Sequence, residues 1–528
     1  MQQPMIVLNT QKREEKRKAQ LSNIHAAKAV ANIIRTCLGP RAMLKMLMSQ
    51  MAGIVLTNDG NAILREIDVS HPAAKNMIEL ARSQDEQVGD GTTSVIVLAG
   101  EVMSIAEPFI KKNIHPKVIV GAFYQALDHA LEILPTLATK FDPSDDDKLK
   151  MVVRNAIGTK FLSKYEDQMG GIAIDAIRII DRKVNNVREI DIKKLIRFQK
   201  IMGGEIEDSY LLKGAVLEKD VLHSQMNRRI ENPRVLLMDV SIDYEKGESQ
   251  TNIEIMNDED FQRMLQIEEE YIKDMVEKIA KFKPDLVITE KGCSDLAQHY
   301  FFKHGITTLR RLRISDSNRI AKVTGATCVN RVDMIKEEDL GTKCKLFEVR
   351  KIGDSYYAFL DECEEPEACT IILRGPNKDI VNEIERNLMD GLKALKNVLL
   401  EPLLLPGGGA TEMSLSQKLN EKAMSIKGIE QLPYRALSGA FEILPRTLIQ
   451  NCGGKTMKVL TKLRAKHANG ENKNWGINGL TGELADMSEL NVWDSYSVKV
   501  QIIKSAIESS CMLLRIDEIL SGKSKKEK

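Results

Sequence analysis

GDGTTS, residues Gly89 to Ser94, can be read as an ordinary turn running into a helix or as a cradle for phosphate. Two glycines reach backbone angles closed to other residues, so successive N–H groups can converge on an anion. Thr92, Thr93 and Ser94 add hydroxyls able to cap the helix that VIVLAGEVM begins, whose N-terminus carries positive partial charge. Asp90, between the glycines, is placed to hold a divalent cation that bridges phosphates. Six residues do not choose between these readings. The rest of the chain has to.

A chain of 528 residues holds roughly three or four domains' worth of core, at about 150 residues each. With 43% hydrophobic and 29% charged residues, the composition is that of a folded globular protein rather than a disordered or membrane one. Lys plus Arg is 76 against 75 for Asp plus Glu, which leaves no global field to attract nucleic acid or acidic lipid. No apolar run approaches the roughly 20 residues that cross a bilayer, and MQQPMIVLNT lacks a basic segment leading into an apolar one. A cytoplasmic protein without nucleic-acid or membrane partners is therefore expected. The eight cysteines include no C-x-x-C, which argues against zinc ribbons and redox motifs. Cys363 and Cys369 flank the turn EEPEA; reduced thiols are expected in the cytosol, although the spacing leaves a bridge open.

Two textures alternate. Residues 11–140 and the last 120 residues carry helical periodicity, as in AAKAVANIIRTCL and VKVQIIKSAIESSCMLLRIDEIL. Between them short apolar runs such as PRVLLMDVSI, DLVITE and TIILRG alternate with helical segments such as DLAQHYFFKHG. KLFEVRKIGDSYYAFLDE reads as a hairpin turning at Gly353-Asp354. A helical domain built from both chain ends, with an α/β insertion, accounts for this order. Residues 259–280 form a helix whose stripe of Phe261, Met264, Leu265, Ile272, Met275, Val276 and Ile279 has no obvious sheet partner.

Further motifs are individually ambiguous. GGKT, Gly453 to Thr456, imitates the end of a phosphate-binding P-loop, but Ile449 stands where glycine is required and a helical pattern precedes it, so it reads as a helix stop. CLGP around Gly39 and Pro40 ends a helix, TNDG from Thr57 to Gly60 fits a hairpin turn, and PGGGA from Pro406 to Ala410 is a loop that also permits close backbone approach to a ligand. Asp390 lies off the stripe of Ile380, Ile384, Leu388, Leu395 and Leu399 on its helix. It is either a solvated carboxylate or a general base that orients water against a phosphate, with Asp59 and Asp90 managing metal and charge.

CLGP, TNDG, GDGTTS, the LRG of TIILRG, the helix bearing Asp390, and PGGGA stand in the order and rough spacing of the chaperonins. The segment 245–280 and DSNRIAKVTGA resemble group II chaperonins, and QLPYRALSGAFEILPRTLIQNCGGKTMKVLTKLRAKH looks like one subunit type of the eukaryotic cytosolic chaperonin, TRiC/CCT. The resemblance spans essentially the whole chain and favours the cradle at Gly89–Ser94.

It implies a multi-domain chaperonin fold: a mainly α-helical equatorial ATPase domain (1–145 and 405–528), a small α/β intermediate domain (146–214 and 370–404), and an α/β apical domain (215–369) with a helical lid protrusion at about 245–280. It further implies ATP or ADP with Mg2+ as ligands and a hetero-oligomeric double ring shared with seven paralogous subunits. Non-native clients such as actin and tubulin would be enclosed by that ring. By the same resemblance Asp90 holds magnesium, Gly91, Thr92, Thr93 and Ser94 wrap the phosphates, and Gly39 and Pro40 lie beside the nucleotide. Thr159 and Lys160 approach it from the intermediate domain. Gly408 and Gly479 line the nucleoside, with Asp494 on the ribose and Lys499 nearby. Asp390 acts on the attacking water and Asp59 assists it. The family often has an acidic residue followed by proline where this chain has Asp494-Ser495, so the ribose contact departs from the pattern. Two other readings remain: a non-hydrolysing nucleotide-binding subunit of the same ring, which would lose the carboxylates, and a pure interaction protein.

Overall fold

The computed structural model describes residues 12–48, 54–143, 145–158, 164–184, 187–243, 258–468 and 473–521. The chain divides into two compact units, Met1–Gly170 with Arg386–Lys528, and Gly171–Glu385. The first therefore joins both chain ends. Within it, Lys12–Glu15 pairs antiparallel with Glu518–Ser521.

The first unit is mainly helical, and its centre is the helix Thr92–Lys111. Val95 to Ala99, Val102, Met103 and Ala106 are fully buried there. The helices Arg17–Ile34, Pro72–Gln87, Gln431–Ala440 and Tyr496–Leu514 pack around it. Contrary to the sequence expectation, this helix is long and apolar enough by length and composition to cross a membrane. Its apolar surface is instead taken up by neighbouring helices, as in a helix hydrophobic all round at the middle of a core. Leu403–Pro406 lies between Trp493–Ser495 and Thr139–Lys140 in a small antiparallel sheet, which carries the chain into the PGGGA loop.

The second unit is α/β. Val235–Met238 is central to a parallel sheet, flanked by Leu286–Thr289 and Cys328–Val329. The expected hairpin is present: Leu346–Ile352 pairs antiparallel with Ser355–Asp361, and Gly353 in the two-residue turn has φ 63°. The helix Asp258–Ala280 differs from expectation. Ile272, Val276 and Ile279 are fully buried in the core of this unit, whereas Met264, Leu265, Ile267 and Tyr271 are exposed. Among the described side chains of this helix the exposed apolar ones thus all precede Ile272. Residues 245–257 of the expected protrusion lie outside the described residues.

In the helix Lys378–Leu400 the buried stripe is Val381, Ile384, Leu388, Leu392, Leu395 and Val398, shifted by one position from Ile380, which is only partly buried. Asp390 stays off that stripe. GGKT ends a helix as expected, since Ile443–Asn451 stops just before Gly453, whose φ is 75°.

Candidate functional site

A cavity of about 450 Å³ opens in the first unit. The structure brings Gly39, Pro40, Asp59, Asp90, Gly91, Thr92, Thr93, Ser94, Asp390, Gly408, Gly479, Asp494 and Lys499 to its wall. Thr159 and Lys160 lie outside the described residues, although Arg154, Asn155, Ala156 and Gly158 just before them line the same cavity.

Local chemistry explains how the wall forms. The central helix begins at Thr92, with Gly91 as its N-cap in the left-handed region at φ 74° and no side chain capping it. The expectation that hydroxyls of Thr92, Thr93 and Ser94 cap the helix is corrected accordingly. The Thr92 hydroxyl instead lies 3.4 Å from Asp59 Oδ1 as a donor. A second helix, Ala410–Ala423, begins the same way after Gly409, at φ 79° and without a side-chain cap. Two helix N-termini with glycine rather than a capping side chain at the N-cap thus contribute to one cavity, and such ends favour anions.

Of the carboxylates that line that cavity, Asp59, Asp90 and Asp390 stand with the phosphate-loop reading. Asp59 belongs to no hairpin turn, because TNDG starts the helix Gly60–Glu66: Asp59 is its N-cap and accepts from Ala62 N at 3.0 Å through Oδ2. Asp90 accepts from Gly91 N at 2.6 Å, while its carbonyl accepts from Gln84 Nε2 at 3.0 Å. Asp390 is partly buried on its own helix. A cation between these carboxylates would lower their repulsion toward a polyphosphate at the two helix ends. Among the described residues no cluster of three or more His, Cys, Asp or Glu forms a protein cage for a metal.

Sequence reasoning missed several residues here. Lys393, one turn beyond Asp390, donates to Asp85 Oδ1 at 2.8 Å and to the Asp85 carbonyl at 3.0 Å. Asn397 Nδ2 donates to Val88 O at 2.8 Å. The helix carrying Asp390 is thereby fastened to the chain leading into Gly89–Ser94. Glu412, 2% exposed, forms a 2.5 Å ion pair with Lys499, which also pairs with Asp494 at 2.9 Å. Burial alone would lower the Lys499 ammonium; the Asp494 and Glu412 carboxylates outweigh it and hold it above the ordinary lysine value. Glu412 follows directly on GGGAT, yet an acid in a first helical turn reads as a partner of the helix dipole, which conceals any other part it plays.

Gly408 lies at φ 60°, and a Cβ there would sit 2.4 Å from Met487 Sδ and 2.8 Å from the Ile477 carbonyl oxygen. Gly408→Ala is expected to destabilise the chain by about 2–4 kcal/mol, combining left-handed strain with overpacking against backbone. Gly439, inside a helix with nothing within 4 Å of its Cβ position, is the control. Gly439→Ala is expected to stabilise by about 0.5–1 kcal/mol. Denaturation midpoints of the two variants check both signs.

The sequence profile of the TCP-1/cpn60 chaperonin family matches residues 30–524, and the chain belongs to that family. Among its relatives, T-complex protein 1 subunit gamma of Schizosaccharomyces pombe is 56% identical over 523 residues, covering 99% of each chain. The T-complex protein 1 subunit gamma of Homo sapiens is 52% identical over 524 residues, covering 99% of this chain and 96% of the relative. That of Dictyostelium discoideum is 54% identical over 529 residues, covering 99% of this chain and all of the relative. The chaperonin resemblance read from the motifs is borne out.

Proposed function

We propose that this chain is the gamma-type subunit of a cytosolic hetero-oligomeric chaperonin, and that it binds and hydrolyses ATP with Mg2+ to drive the folding of non-native proteins. The observation that carries the hydrolytic part is the convergence of two helix N-termini lacking side-chain caps and three carboxylates on one cavity. The name shared by the relatives supports the gamma assignment. The double ring with seven paralogous subunits, and actin and tubulin as clients, belong to the same reading.

Bound magnesium nucleotide supplies an electrophilic terminal phosphate whose charge is partly neutralised. Gly91 to Ser94 hold the phosphates with backbone N–H groups and hydroxyls, and Asp90 holds the cation. Asp390 orients a water and accepts its proton. Asp59, fixed by its N-cap bond and the Thr92 hydroxyl, keeps the phosphate loop aligned with the helix Gly60–Glu66. Gly39, Pro40, Gly408 and Gly479 shape the nucleoside slot, with Asp494 and Lys499 beside the ribose and Thr159 and Lys160 approaching from the intermediate segment. Retention of the three carboxylates favours hydrolysis over a purely structural nucleotide subunit.

The reading also assigns equatorial, intermediate and apical domains within the two compact units, with a lid at 245–280. Clients would meet the polar side chains Asp295, His299 and Lys303 on the helix Asp295–Lys303; Gln298 is turned inward, 9% exposed and donating to Asp295 Oδ1 at 3.0 Å. The purified assembly tests the nucleotide reading. Labelled ATP should be retained at this chain in magnesium and lost on chelation. Equal labelling of this chain with and without magnesium would remove the metal, and no labelling at all would leave an interaction protein.

A further inference from the structure

In the hairpin of the second unit Leu346 stands opposite Asp361, and the pairing continues past the strand ends, where Glu364 N donates to Lys343 O at 2.9 Å. The same register sets Cys344 directly across from Cys363. Side chains so opposed have Cβ atoms about 4.5–5.5 Å apart, within a small adjustment of disulfide geometry. Both thiols turn to the same side: Cys344 and Cys363 donate toward one acceptor, the Asp361 carbonyl oxygen, at 3.6 and 3.8 Å. Cys344 is fully buried and Cys363 is 8% exposed.

Each thiol is the strongest influence on the other. A hydrogen bond from Cys363 lowers Cys344 below its ordinary value against the opposing effect of burial, and the same contact, followed by burial, raises Cys363. These directions favour Cys344 as the attacking sulfur and Cys363 as the resolving one. Cys369, nearest to Cys363 in sequence, opens a different strand, Cys369–Gly375, which pairs with Ile196–Met202. Its thiol is pushed up to about 12 by burial alone.

We propose that Cys344 and Cys363 are a peroxide-sensitive dithiol pair that closes to an intrachain disulfide. Cys344 thiolate attacks one oxygen of hydrogen peroxide; the O–O bond breaks, giving a sulfenic acid at Cys344 and, after proton uptake, one water. The Cys363 sulfur then attacks the Cys344 sulfur, the S–O bond breaks, and the hydroxyl leaves with the Cys363 proton as a second water. The two thiols together lose two electrons, and peroxide gains them. A resolving thiol already in contact favours this closure over further oxidation of the sulfenic acid. The link would also pin the turn that follows, where the non-glycine residues Glu362 and Glu365 hold φ 53° and 45°.

The test exposes the intact chain to hydrogen peroxide, alkylates the remaining thiols and maps peptides without reductant. A peptide pair linked through Cys344 and Cys363, with Cys369 alkylated, is the expected result. The link should vanish in Cys344→Ser and in Cys344→Ala, the latter guarding against loss of folding through a buried hydroxyl. A link between Cys363 and Cys369, oxidation of Cys363 that is unchanged in both variants, or full alkylation of all three thiols would overturn the proposal.

Discussion

Asp390→Asn is expected to leave nucleotide bound at this chain and to slow its hydrolysis about 10²- to 10⁴-fold, the span over which removal of a general base acts. The amide matches the carboxylate in size but cannot accept the proton of water. Its helix should not move. The buried stripe of Ile384, Leu388 and Leu392 is untouched, and Lys393 and Asn397 still hold the helix to Asp85 and Val88. Photolabelling with a nucleotide analogue reads occupancy at this subunit, and conversion of bound ATP to ADP reads turnover. Occupancy retained with turnover lost is the expected pair. Unchanged turnover would take Asp390 out of the reaction, and joint loss of both would make it a binding residue instead.

What was legible in the sequence is what short-range physics sets. The helix carrying Asp390 follows from apolar spacing alone, with an error of one position at its start, because Ile380 and Val381 are both apolar and only packing chooses between them. The hairpin at Gly353-Asp354 follows from turn chemistry. Its register also fixes Cys344 against Cys363, since both are equally far from the two turn residues; sequence proximity pointed to Cys369 and hid this. TNDG was misread because an N-cap and a hairpin turn use the same residues, and only the helix after Gly60 separates them.

Pairs distant in sequence leave no local mark. Lys393 and Asp85 lie 308 residues apart and Lys499 and Glu412 lie 87 apart. The helix Asp258–Ala280 shows a related limit: periodicity reveals one apolar stripe but not that Ile272, Val276 and Ile279 have a core to enter while Met264 and Leu265 do not. GDGTTS and PGGGA were legible because each is a glycine-dependent turn at a helix start, and both turns line one cavity in this fold.

Lys499→Met is expected to destabilise the first unit by about 3–5 kcal/mol, the cost typical of stripping one partner from a buried ion pair. Lys499 is 8% exposed and Glu412 2%, so the methionine fills nearly the same volume but leaves the Glu412 carboxylate buried without its counter-ion. Asp494, whose side chain is 34% exposed, can recover water on losing the same partner. The loss should therefore be traceable to Glu412 more than to Asp494. In the double variant Lys499→Met, Glu412→Gln no buried charge remains, and most of the stability should return. The deficit of the single variant should also narrow in acid, because a neutral carboxyl is cheaper to bury than a carboxylate. Denaturation midpoints of the single and double variants at neutral and acidic pH measure all three effects. Equal destabilisation in both variants would mean that Lys499 contributes through packing along the helix Tyr496–Leu514. Recovery in the double variant would instead show that this ion pair in the cavity wall matters chiefly for what it neutralises.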